Sequence, residues 1–167
     1  INKGLSNAIK LMVRFLFHFG QDAQAHLFRL NSGEKHNAIP REAESGIVIS
    51  GEDELLLKEM AERYETIYKN ELQFTEKDVR LRVNRMNELP SRVFSSDFQS
   101  TLVSLLYALH HGVVAMSHEM PGQVETSTNL AAVRTLENRV EILTSQRSSV
   151  ASAIGDCAGK IKAAGLL

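Results

Sequence analysis

The stretch GEKHNAIPREA, residues 33–43, decides how this chain folds. Upstream of it AHLFRL (25–30) alternates its side chains as a half-buried strand does, and downstream REAESGIVIS (41–50) can return beside it. Asn31, Ser32 and Gly33 supply the turn chemistry of a hairpin. Pro40 has no N–H for a strand ladder and drives Ile39 into extended geometry, so Asn37 holds the last flexible position before the returning strand. His36, Asn37 and Arg41 are thus expected together at one end of a sheet. Read by itself, Asn37 bonds the backbone of its own turn.

Working outward, Leu5, Ile9, Met12, Val13 and Leu16 recur at helical spacing, with Gly20 closing the run. Ser50 with Asp53 reads as a helix start, and Leu56, Met60, Tyr64 and Ile67 carry a second helix to the region of Asn70. DVRLRVNRM (78–86) alternates as an exposed strand, and 88–97 is a loop broken by Pro90. Ser96 or Asp97 is expected to cap a third helix bearing Phe98, Leu102, Leu105, Leu106 and Leu109, stopped by Gly112. Strands follow at 112–117, 124–136 and 139–146, the last two joined by a Glu137-Asn138 turn. Ser148 or Ser149 then caps a final helix with Val150, Ile154, Cys157, Ala158 and Ile161 on one face and Gly165 at its end. Antiparallel hairpins with amphipathic helices between them predict an α+β fold, one antiparallel sheet carrying helices on one face.

With 167 residues, 43% of them hydrophobic, the chain can build one domain around a real core. A formal net charge of −1 with scattered Lys and Arg gives no footprint for nucleic acid. LMVRFLFHF (11–19) is interrupted by Arg14 and His18, and no apolar run reaches the roughly 18 residues of a membrane span. The single cysteine, Cys157, excludes an internal disulfide and a thiolate metal site, fits a reducing cytosol, and falls on an apolar helix face as a buried thiol. Opening at Ile1 without Met, the chain reads as an excised piece of a longer protein.

No Gly-rich phosphate loop, nucleophile elbow or clustered His and carboxylate set is present. Glu52, Asp53 and Glu54 complement a helix N-terminus. His110, His111 and His118 invite a metal reading, but adjacent residues diverge on a helix and no carboxylate stands one turn away. No metal-binding or catalytic residue is therefore expected in this chain. His36 is assigned to the surface.

Four blocks in order, GLSNAIKLMVRFLF (4–17), HNAIPREA (36–43), VETSTNLAAV (124–133) and VEILTSQRSS (140–149), closely resemble the lid domain of aminoacyl-histidine (Xaa-His) dipeptidases. These belong to the dinuclear zinc aminoacylase and carboxypeptidase family that includes the carnosinases. The resemblance implies a ferredoxin-like two-layer sandwich over residues 1–167, with 74–123 as a family-variable insertion. It also implies that the zinc ions, the general base and a Gly-His-Ser-Gly segment lie outside this chain, together with a first sheet strand before Ile1, whose loss leaves an edge exposed.

The partners so implied are a catalytic domain on the same polypeptide, an Xaa-His dipeptide and a second copy in a homodimer, in the cytoplasm. The isolated chain is expected to be inactive and metal-free. Asn37 and Arg147 match substrate-binding positions of the family, an amide and a guanidinium suited to holding the carbonyl and carboxylate of a dipeptide. From the residue pattern alone, Arg147 caps the preceding hairpin or pairs with Glu141. The reading from a different class is a stand-alone α+β interaction module that binds a partner by its sheet edge.

Overall fold

The computed structural model describes residues 4–166. Helix α1 (Ala8–Asp22) opens the fold, its N-terminus capped by Asn7, whose Oδ1 accepts from the N–H groups of Ile9 and Lys10. The cap places the start after Leu5, and the helix continues through Gly20. Ile9, Val13, Phe15, Leu16 and Phe19 form its buried face, as their three- and four-residue spacing requires.

Strands β1 (His26–Ser32) and β2 (Ala43–Val48) pair antiparallel, so the first hairpin is real. Asn31 and Ser32 belong to β1, however, and the connection is a long loop over 33–42. Ser50 caps a short 3-10 turn through its hydroxyl to the Asp53 N–H, leading into α2 (Glu54–Glu71). The expected strand at 78–86 does not form, because among the described residues no strand lies beside it and alternation without a ladder specifies nothing. That segment is pinned by α2 instead, the Leu81 N–H donating to Glu65 Oε2 at 2.8 Å, and in the loop that follows the Phe94 N–H donates to the Leu27 carbonyl at 2.7 Å.

Helix α3 (Ser96–Ala108) is capped by Ser95, one residue earlier than Ser96, and its C-terminus is bound by a side chain from α1. Lys10 Nζ donates to the carbonyls of Leu106, Tyr107 and Leu109 at 2.8, 2.6 and 2.7 Å. Strands β3 (Gly112–Met116), β4 (Val124–Thr135) and β5 (Val140–Ser148) complete the sheet, and α4 (Ala151–Ala164) closes the described chain. Val150 precedes α4 and makes no side-chain cap; Ser148 Oγ accepts the Val150 N–H instead of capping the helix interior. Cys157 is buried.

Among the described residues the sheet has five strands, all antiparallel, with β4 at its centre. Along one side of β4 runs β5; the other side is shared, β3 pairing with its first half and β1 meeting it at Ser32 and Val133. The short β1–β4 ladder is reinforced by side chains, Thr135 Oγ1 bonding both polar groups of Leu30 and the Thr135 N–H reaching Asn31 Oδ1. One face of the sheet, through Leu27, Leu30, Leu130 and Val133, packs on α1, α2 and α3 in a continuous core, with Ile161 and Ala164 of α4 at its margin. The architecture is α+β.

Candidate functional site

Strand β4 explains where a site can form. Its residues from Thr126 to Val133 are all buried, which requires cover on both faces. Thr126, Thr128 and Leu130 share the core face by alternation, so Ser127 and Asn129 face the other way. Their partners across the β4–β5 ladder are Arg147 and Ser145, which face the same way.

That second face is covered by the 33–42 loop. Gly33, with φ of 74°, sits where β1 parts from β4, and a Cβ there would lie 2.0 Å from the Ala131 carbonyl oxygen. Only glycine allows the chain to turn so closely over the central strand. Beyond it the Arg134 guanidinium donates to the Glu34 carbonyl at 3.2 Å, and Asn129 Nδ2 donates to the Ala38 carbonyl at 2.8 Å. The turn itself closes through the Ala38 N–H on the Lys35 carbonyl, not through an Asn37 side-chain bond. Pro40 ends the excursion, its carbonyl accepting the Ala8 N–H at 3.0 Å.

Between loop and sheet lies a pocket of about 140 Å³ lined by His36, Asn37, Ile39, Ser127, Asn129, Ser145 and Arg147. Asn37 and Arg147, distant in sequence, line the same pocket. Arg41 does not join them; it turns away to Glu76, so the expected cluster of His36, Asn37 and Arg41 is divided. Glu141 is engaged by Arg139, and among the described residues no carboxylate pairs with Arg147. The pocket therefore offers one guanidinium, one imidazole, two amides and two hydroxyls, with no acidic side chain in its lining. Such a set binds an anionic group with hydrogen-bond acceptors. Sites for whole ligands usually enclose about 300–1,000 Å³, so this one suits the end of a small molecule.

No protein-family model matches the chain. In sequence it is 37% identical over 143 residues to the cytosol non-specific dipeptidase of Escherichia coli strain K12, a match covering 85% of this chain and 29% of that protein. In structure it superimposes with a TM-score of 0.89 and 32% identity on the crystal structure of aminoacylhistidine dipeptidase from Vibrio alginolyticus. The chain is homologous to one segment of these dipeptidases. The structural match covers 96% of this chain and 33% of the Vibrio protein, so the chain spans a minor part of such dipeptidases. The upstream strand and the Gly-His-Ser-Gly segment implied by the resemblance lie outside the described residues.

The histidines of this chain do other work. Asn7 Nδ2 donates to the Leu130 carbonyl at 2.7 Å and approaches His111 Nδ1 at 3.2 Å. Since Asn7 Oδ1 is already an acceptor, His111 Nδ1 must accept here, and burial pushes this imidazole down to about 4, keeping it neutral. His110 lies 3.0 Å from the Val113 carbonyl. Among the described residues no three His, Cys, Asp or Glu side chains converge to hold a metal ion, so the residues present do not fit a zinc site. A larger, open recess is lined by the long side chains of Lys69, Gln73, Phe74 and Lys77.

Asn129, Ser127 and Ser145 were not singled out from sequence. Asn129 is only 6% exposed, and its Oδ1 bonds no other protein group. The signal was the polar run Thr126-Ser127-Thr128-Asn129 inside a central strand, where apolar residues are the rule.

Proposed function

We propose that this chain is the substrate-capping lid of a cytosolic zinc dipeptidase that cleaves Xaa-His dipeptides. Its pocket would receive the carboxylate end of the dipeptide, with residues 74–123 inserted into the lid. The observation that carries this reading is the convergence of Asn37 and Arg147 on one small pocket free of acidic side chains, on the sheet face opposite the core. The catalytic domain of the same polypeptide is assigned the two zinc ions and the activation of water. What the lid contributes is position. A guanidinium can grip a carboxylate through two parallel hydrogen bonds, and an amide N–H beside it can steady a carbonyl oxygen on which charge develops.

The names of the two relatives differ in breadth, one non-specific and one aminoacylhistidine. The pocket recognises the carboxylate common to all dipeptides, so it supports a shared grip, while the preference for a C-terminal histidine rests on the resemblance. The test is steady-state kinetics of the parent enzyme carrying Asn37→Ala, with an Xaa-His dipeptide and with one ending in alanine. A fall in kcat on the order of a hundredfold or more on both substrates, at unchanged metal content, is expected. Unchanged kcat/KM would remove Asn37 from the site.

A further inference from the structure

We infer that Asn129 is a positioning residue that sets Asn37 over the pocket, an inference that rests on the reading of Asn37 as a substrate-holding group. Asn129 Nδ2 donates to the carbonyl of Ala38, the residue directly after Asn37. The peptide carrying Asn37 is thereby anchored to the central strand of the sheet. Gly33 and the Arg134 contact to the Glu34 carbonyl fix where the loop begins, and the Pro40 carbonyl on the Ala8 N–H fixes where it ends. Between these ends residues 34–38 are exposed, and the Asn129 amide ties the middle of the loop to the sheet.

The other half of the amide argues that this tie serves the site. Asn129 also lines the pocket itself, and its Oδ1 bonds no other protein group, so the amide is not committed to the strand ladder or to the core. The bond to Ala38 holds the peptide after Asn37 against the sheet, where Asn37 and Arg147 line one pocket, and displacement of a substrate-holding group by about 1 Å is enough to cost on the order of a hundredfold in rate.

A double-mutant cycle in the parent enzyme tests the inference: Asn129→Ala, Asn37→Ala and the pair, with Asn129→Ser as a second variant whose shorter hydroxyl cannot span to Ala38. Steady-state kinetics on a dipeptide and hydrogen exchange of residues 34–39 are read together. The expected result is a loss of on the order of ten- to a hundredfold in kcat for Asn129→Ala and Asn129→Ser, with faster exchange confined to the loop. On an Asn37→Ala background, Asn129→Ala should then cost nothing further, because the group it positions is gone. Full additivity of the two losses, wild-type kcat for both Asn129 variants, or a failure of both to fold would overturn the inference. If instead Asn37→Ala alone has no effect, the substrate-holding reading fails first, and the two failures are told apart.

Discussion

The Arg41 guanidinium donates to the carboxylate of Glu76, a residue buried beneath the start of α1. The second carboxylate oxygen accepts from Ser6, through its N–H at 2.9 Å and through its hydroxyl. Arg41 follows Pro40, so Glu76 holds together the entry to α1 and the exit of the Asn37 loop. Burial works to raise the Glu76 carboxyl, but the bonds from Ser6 and Arg41 outweigh it and hold the group below its ordinary 4.5.

Replacing Glu76 with Gln should therefore destabilise the chain by about 1.5–3 kcal/mol at neutral pH, as loss of a charge-assisted bond does. Because the folded-state value is depressed, this contribution is complete above pH 4.5 and disappears as pH falls through the folded value. Denaturant midpoints measured against pH check it: the wild type should lose stability below pH 4.5 more steeply than Glu76→Gln.

A second acid-sensitive group acts at higher pH. Burial, with the nearby charges of Lys10 and His110, brings His111 from 6.5 down to about 4. Between these values the unfolded chain binds a proton that the folded chain refuses, so stability falls on acidification through this window, by up to about 1.4 kcal/mol per pH unit. Protonation also removes the acceptor that faces Asn7. The His111→Gln variant should show a flat stability profile from pH 6.5 down to the onset of the Glu76 effect, measured by the same denaturation series.

Gly33 is the hinge point of the site. Its φ of 74° and the 2.0 Å approach of an added Cβ to Ala131 leave no room for a side chain. Gly33→Ala should lose at least about 1–2 kcal/mol from the left-handed conformation alone, and the loop must shift to relieve the contact. In the parent enzyme the variant should lower kcat/KM more than its thermal shift accounts for; activity that merely follows the folded fraction would place the loop outside the site.

The elements that were legible in the sequence are those whose pattern and tertiary partner agree. The α1 periodicity matched a real buried face, and both hairpins paired as their alternation required. The alternation of 78–86 misled because among the described residues no neighbouring strand offers it a ladder, and the bond from the Leu81 N–H to Glu65 ties it to α2 instead. Ser148 and Ser149 looked like caps because the chain turns there, but β5 extends through Ser148 and leaves Val150 at the helix entrance. Asn37 and Arg147 were singled out through resemblance alone, since each taken locally reads as turn or strand-end chemistry; that they line one pocket is a fact of tertiary structure. Asn129 was hidden because its role depends on which loop crosses β4, a fact of tertiary structure that no local spacing carries.

If Arg147 receives the free carboxylate of a dipeptide, kinetics on a dipeptide and on its C-terminal amide in the parent enzyme separate the two. Wild-type enzyme should favour the free acid strongly in kcat/KM. Arg147→Ala should lose most of that preference by falling on the acid far more than on the amide, and Arg147→Lys should recover little, because an ammonium cannot make the paired grip of a guanidinium. An acid-to-amide ratio in Arg147→Ala equal to the wild-type ratio would contradict the claim and leave Arg147 as a surface residue at the end of β5.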